Sequence, residues 1–350
     1  MSDIPSTRSA CIDTAKGLGI LCVIIGHSGS PLKEFIYLFH MPLFFFLSGY
    51  LYQDKYSTEP FTFIKNRIKS LYVPFVKYSL LFLLLHNLFV KLNIYSEPNF
   101  YTLTRFLREV FNIITFGGTE KLLGIFWFIT ALYWVNVIYC FIRYFTSKIP
   151  KSRNEFIFLA LIVLMFLIGN LFSLYSINLP RVLDIALVSL LFYHGGYLYR
   201  RYQEKIPLDI FITICCILFL LISSLYGKVN MIGRSYVNPA FIIVNSAAGI
   251  YLIFYISKVF VKSYYLNYIG RNTLIILALH LLSFKVISLI QVLLYDYHIS
   301  MIGEHPVIHI NSGSWWVVYS VAGISIPLLI SFLGTKTSSF TRAILASRQV

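Results

Sequence analysis

The chain has 350 residues, of which 58% are apolar and 12% charged. That charged share is about half of a soluble domain's, and a mean hydropathy of +0.75 leaves more apolar surface than a water-soluble fold of this length can hide. The net charge of +15 does not point to nucleic acid, because Lys and Arg cluster at the ends of apolar runs rather than along one basic face, the pattern of membrane orientation. The five cysteines, Cys11, Cys22, Cys140, Cys215 and Cys216, are odd in number and lie in or beside apolar segments. They form no CxxC or Cys/His spacing, so neither a disulfide framework nor a metal site is expected.

A spanning helix needs about 20 mostly apolar residues. Ten candidate spans follow in chain order, at 15–29, 35–52, 71–90, 123–142, 156–174, 181–199, 208–226, 239–257, 273–294 and 313–333. Arg8 and Lys16 precede the first run, which leads at once into the second, so a retained span is expected there rather than a cleaved signal. With both termini placed in the cytoplasm, the inner segments hold 19 of the 29 Lys and Arg residues and the outer segments hold 8. Every inner segment is then basic, and an extra or missing span would spoil that agreement. The outer stretch Lys91–Leu122, with Arg105 and Arg108 among aromatics, is expected to lie along the membrane surface. No linker marks a second domain. The expectation is an all-α bundle of about ten transmembrane helices forming a single domain over residues 1–350.

Ionisable residues inside such spans are candidates for function. In the first span Asp13 and Lys16 stand at the inner end, and His27 follows Lys16 by eleven positions, roughly 16 Å along a helix. That length is of the order of a pantetheine arm. A cation at Lys16 could hold CoA phosphates while an imidazole at His27 takes a proton from an acceptor hydroxyl. Lys16 as an interfacial anchor and His27 as a packing histidine are the competing readings. His40, at the start of the second apolar run, is expected at a similar depth to His27, either as a second catalytic or acceptor-positioning imidazole or as its packing partner. Ser48 and Gly49 suit close helix packing. Trp127 reads as an interface anchor or a sugar-stacking ring. Asn272 and His280 would line the inner mouth or bond across helices. Asp184, three residues after Arg181, reads first as half of a structural ion pair. Lys285 lies deep in its span with no assigned role, and His298, His305 and His309 are expected in a solvated loop.

Several segments, in order, resemble the membrane-bound acyltransferase-3 family. Asp13-Thr14-Ala15-Lys16-Gly17 followed by Gly26-His27 is similar to its opening motif, a basic residue and a histidine with ten residues between them. His40-Met41-Pro42-Leu43-Phe44-Phe45-Phe46-Leu47-Ser48-Gly49-Tyr50 resembles its second-helix motif in the fucose-4-O-acetylase-like version. The stretch from Phe63 through Arg67, Lys69 and Ser70 to Pro74, the aromatic start Phe126-Trp127-Phe128, and Tyr268-Ile269-Gly270-Arg271-Asn272-Thr273 with His280 complete the set. The resemblance implies an acyl-CoA donor, a sugar hydroxyl as acceptor, His27 as the essential residue, and Lys16 with the Arg67 cluster engaging CoA. Many members carry Arg, two residues and Arg before the third helix. Here Arg67 is followed by Lys69 and Ser70, and lysine does not reproduce a guanidinium fork.

The reading is therefore a multi-pass O-acyltransferase of the inner (plasma) membrane. It would move an acyl group, acetyl in the simplest case, from cytoplasmic acetyl-CoA or another acyl-CoA to a surface polysaccharide, lipid-linked glycan or glycolipid. Membrane lipids, acyl-CoA and the sugar-containing acceptor would be its partners, without nucleic acid or metal and with a homo-oligomer left open. A transporter or flippase fits the same composition, but the paired halves and broken midplane helices of that class are not visible in the sequence.

Overall fold

The computed structural model describes residues 7–96, 100–310 and 313–347. Its helices, in chain order, are α1 (Thr7–His27), α2 (Lys33–Tyr37), α3 (His40–Tyr50), α4 (Pro60–Arg67), α5 (Val73–Leu84), α6 (His86–Lys91), α7 (Leu103–Ile114), α8 (Trp127–Thr146), α9 (Lys151–Leu174), α10 (Leu183–Tyr202), α11 (Ile210–Tyr226), α12 (Pro239–Val259), α13 (Tyr264–Arg271), α14 (Thr273–Tyr295) and α15 (Trp315–Ser347). Among the described residues no β-strand forms, and seven helices are long and apolar enough to cross a membrane. The large exposed side chains of α9 (Leu159, Val163, Leu164, Leu167, Leu171) and of α11 (Phe211, Ile214, Leu218, Leu221, Ile222, Leu225) form apolar faces too extensive for a water-exposed surface. The protein is an all-α, polytopic membrane bundle.

Three of the ten expected spans depart from a single long helix, and proline explains two of them. In 35–52 the helix breaks at Leu38 and Phe39 and restarts as α3, which has only 11 residues. Pro42 has no N–H, so it fits the first turn of α3, where that donor would lack an intrahelical acceptor. The third expected span, 71–90, begins within a π-helical turn over Ile68–Tyr72 that follows α4, continues as α5 and, after a break at Leu85, ends in α6. Pro74 cannot donate to the Ser70 carbonyl, and the ladder widens just before it, with the Val73 N–H bonded to Ile68. Over 208–226, α11 reaches 17 residues, about 26 Å. The stretch after α6 contains α7, whose exposed stripe Leu103, Leu107, Phe111 and Ile114 gives it the amphipathic character expected of Lys91–Leu122.

The chain packs as two compact units. One comprises Met1–Lys33, Phe89–Pro98 and Ser257–Val350, the other Glu34–Leu88 and Asn99–Ile256. In the first, α1 packs on α13, and α14 packs on α15. In the second, α3 lies against α10 and is buried almost all round. Gly49 and Gly196 form this crossing. A Cβ on Gly49 would fall 1.8 Å from the Tyr193 carbonyl oxygen, and one on Gly196 would fall 1.9 Å from that of Phe46. Helix association in lipid depends on such close packing of small residues.

In the second unit, segments that span alternation assigns to one side meet one another. Tyr197 bonds Asp54 and Arg143 pairs with Glu155 on one side. Asp184 pairs with Arg234, and Glu34 with Lys228, on the other. Gly196→Ala should therefore destabilise the protein by about 1–3 kcal/mol, as overpacking does. Gly124→Ala, where a Cβ would meet nothing within 4 Å, should leave the melting temperature in detergent unchanged. Equal melting temperatures for the two variants would contradict the crossing.

Candidate functional site

The first unit contains Asp13, Lys16, His27, Asn272 and His280, and the second contains His40, Arg67, Lys69 and Trp127. In α1, Asp13 and Lys16 share a face by their i,i+3 spacing, with Lys16 Nζ 3.8 Å from Asp13 Oδ1. The second Asp13 oxygen accepts from Arg271 Nε at 3.1 Å. Glycine makes that meeting possible. A Cβ on Gly270 would fall 1.8 Å from the Asp13 carbonyl oxygen, and one on Gly17 would fall 2.3 Å from that of Leu266. The α1 and α13 backbones thus touch where the carboxylate and the two cations meet. Thr14 adds a hydrogen bond to Asn267 at 3.1 Å. One carboxylate serves two cations, so the end of α1 keeps a net positive charge.

Eleven residues along the same unbroken helix, His27 ends α1. Its ring lies 5.7 Å from that of His280, with the planes tilted by 35°. His280 is fully buried. Its Nδ1 lies 3.1 Å from the Ile276 carbonyl and 3.0 Å from that of Leu277, so the proton resides on Nδ1 and Nε2 is an acceptor. That Nε2 is buried without a hydrogen-bond partner. Phe284 stands edge-on to the His280 ring at 5.6 Å. Gly323 of α15 admits both: a Cβ there would lie 2.6 Å from Phe284 and 2.9 Å from Ile24. His280 therefore stands beside His27, seven residues into its helix, rather than at the mouth. Asn272 spends its amide inside the protein, donating to the Tyr268 carbonyl and accepting from the Ser331 hydroxyl. It holds the α13–α14 junction to α15.

In the second unit, His40 is the first residue of α3 and is buried, and its Nδ1 donates to the Ile36 carbonyl at 3.0 Å. The Tyr37 ring lies 4.8 Å away. Arg67 ends α4, with its guanidinium 4.7 Å above the Phe63 ring and its Nε buried without a partner. Lys69 and Ser70 are exposed in the π turn that follows. Such turns are frequent at functional sites, and composition gives no sign of this one. Trp127 opens α8, half-buried, 6.4 Å from the Phe128 ring.

One family model, the acyltransferase domain of the acyltransferase-3 family, matches residues 9–332, and so takes in both units. The chain belongs to the acyltransferase-3 family. No curated protein and no solved structure matches the chain. The acyltransferase is a membrane enzyme of acyl transfer. Among its described residues, no group of three His, Cys, Asp or Glu side chains could hold a metal ion.

Other polar groups of the acyltransferase receive structural roles. Asp184 does pair, but with Arg234, at 2.6 and 3.3 Å, rather than with its sequence neighbour Arg181. Arg181 donates instead to the Thr115 carbonyl, because it lies outside α10 and has no i,i+3 geometry to Asp184. Lys285, buried in α14, donates to the Glu304 carbonyl. His298, His305 and His309 are exposed. Asp184→Asn should strand the Arg234 charge and cost about 3 kcal/mol, whereas Arg181→Ala should cost less than half of that. Thermal unfolding of the purified variants measures both, and equal losses would restore Arg181 as the partner.

Proposed function

We propose that the protein transfers an acyl group, acetyl in the simplest case, from acyl-CoA to a sugar hydroxyl, with His27 as general base. The observation that carries this reading is the arrangement on α1. A net cationic end at Asp13, Lys16 and Arg271 lies eleven residues from His27, and His27 stands beside an imidazole whose Nε2 lacks a partner. Phosphate groups favour the cationic end. The roughly 16 Å between Lys16 and His27 suits a pantetheine arm that ends in the thioester.

The acceptor hydroxyl would give its proton to His27 as its oxygen forms a bond to the thioester carbonyl carbon. The carbon–sulfur bond then breaks, and the thiolate of CoA takes the proton back from His27. His280 would support this step as a neutral acceptor, because its Nδ1 proton is committed to backbone carbonyls and its Nε2 lone pair can share the positive charge that develops on His27. His40, with its tautomer fixed by the bond to Ile36, would serve as a second catalytic imidazole with Nε2 as its acceptor atom. Arg67 and Lys69 would engage CoA, Trp127 would stack on the sugar ring, and Asn272 would position helices.

The acceptor would be a surface polysaccharide, a lipid-linked glycan or a glycolipid, and the enzyme would act in the inner (plasma) membrane with acyl-CoA on the cytoplasmic side. Family membership favours this reading over transport. His27→Ala should abolish acyl transfer while the protein still folds and inserts. His280→Ala should lower kcat by about 10²–10⁴-fold, the range for loss of proton-transfer assistance. Transfer of radiolabelled acetyl groups by purified protein reads both, and full activity in His27→Ala would remove the mechanism.

A further inference from the structure

Lys285 and the segment 304–309 take no part in the mechanism given above, yet both lie in the unit that contains His27 and His280. Lys285 is only 4% exposed. A cation inside a membrane span is costly and is a functional candidate by default. Its Nζ donates to the Glu304 carbonyl. Three further contacts hold the same segment. The buried Val307 side chain packs on the turn that ends α1, where a Cβ on Gly29 would lie 3.2 Å from Val307 Cγ2. Gly29 has a φ of +81°, which suits glycine alone among common residues. The Ile308 N–H points to the Tyr319 hydroxyl at 3.5 Å, and that hydroxyl also bonds Gln291 and Ser288. The Glu304 carboxylate accepts from the His309 N–H at 3.2 Å and closes the segment on itself.

The pinned segment adjoins the histidine pair. Gly29 is two residues beyond His27, so the Val307 contact places the segment at the His27 end of α1, opposite Lys16. Tyr319 stands edge-on to Phe284 at 5.4 Å, and Phe284 stands edge-on to His280 at 5.6 Å. His305 is close enough to interact electrostatically with His280. Of residues 304–308, His305 alone is exposed, while Val307 and Ile308 are buried. By the positive-inside rule, Lys336, Arg342 and Arg348 assign the C-terminal end to the inside and hence the segment before α15 to the outside.

We propose that His305 binds the acceptor glycan at the outer entrance to the site, and that Lys285 positions it by holding the Glu304 carbonyl; the proposal rests on the acyl-transfer reading given above. The donor reaches His27 from the cationic end of α1, and the acceptor reaches it from the opposite end, past the segment 304–308. A neutral imidazole both donates and accepts hydrogen bonds, as a sugar hydroxyl does. His305 can therefore hold a hydroxyl beside the one that gives its proton to His27. This gives the buried lysine a task that packing alone does not require: it fixes the backbone immediately before the contacting residue.

The test is chemical blocking in whole cells, with the cell's own surface glycans as acceptor and their acetyl groups read by mass spectrometry. The variants are His305→Cys and, as control, His309→Cys, exposed four residues further on. Wild type treated in the same way gives the baseline for the native cysteines. A membrane-impermeant methanethiosulfonate should label both variants. Labelling of His305→Cys should lower the remaining acetylation at least tenfold, and reduction of the mixed disulfide should restore it, whereas labelling of His309→Cys should change nothing. Equal losses in the two variants, no loss in His305→Cys, or no labelling from outside would each overturn the proposal. His305→Ala should lower transfer about tenfold, as for one lost hydrogen bond. Lys285→Met should match it and still bind CoA like wild type when purified, and the double variant should lose no more than either. Losses that multiply, or lost CoA binding in Lys285→Met, would make Lys285 a merely structural residue and overturn its part. Wild-type cells whose glycans carry no acetyl group from this protein would remove the acyl-transfer reading itself; acetylated wild type with an insensitive His305→Cys would remove this proposal alone.

Discussion

A bilayer core offers no hydrogen bonds to a polar side chain, so each one that enters it must find a partner within the protein or serve a ligand. That constraint organises the molecule. Asp184 meets Arg234, Lys285 meets a backbone carbonyl, and the Asp13 carboxylate holds both Lys16 and Arg271. Tyrosines aside, the ionisable side chains that keep a buried atom without a hydrogen-bond partner, among the described residues, are Arg67, Arg143 and His280. Arg67 belongs to the basic motif expected to engage CoA, and His280 adjoins the histidine of the opening motif. Leaving a buried donor or acceptor unpaired costs about 1–3 kcal/mol, and a substrate that supplies the missing bonds recovers that energy on binding.

Glycine sets the geometry in which these groups meet. Without a Cβ at Gly17 and Gly270, α1 and α13 come into backbone contact and bring Arg271 to Asp13. The Gly49–Gly196 crossing does the same for α3 and α10, whose ends then bring Arg200 to the Tyr52 carbonyl. Gly323 lets α15 close over Ile24, Phe284 and His280. The first two are backbone-to-backbone contacts and so fix polar groups without relying on a flexible side chain, whereas Gly323 makes room for side chains.

Much of this can be read in the chain itself. Apolar length and basic flanks identify the bundle, and the Lys16–His27 spacing survives intact because α1 is one unbroken helix. The close-packing role of Gly49 follows from its small-residue context. The breaks at Leu38–Phe39 and the π turn before Pro74 are less legible: hydropathy windows average over a proline, while the hydrogen-bond ladder does not. Long-range pairing is the other blind spot. Asp184 finds Arg234, 50 residues away, and nothing local distinguishes that arginine from Arg181. Arg143 looks in sequence like any cation at the end of a span, and only the fold shows it beneath Tyr197 with donors to spare.

The most direct measurement is a structure of the protein bound to a thioether analogue of acetyl-CoA, which cannot give up its acyl group. The account predicts that the analogue's sulfur and carbonyl lie within hydrogen-bond reach of the His27 ring, with the pantetheine arm alongside α1 and phosphate oxygens contacting Lys16. An analogue bound elsewhere, with the His27 and His280 rings sealed among helices and no passage from Lys16, would contradict it.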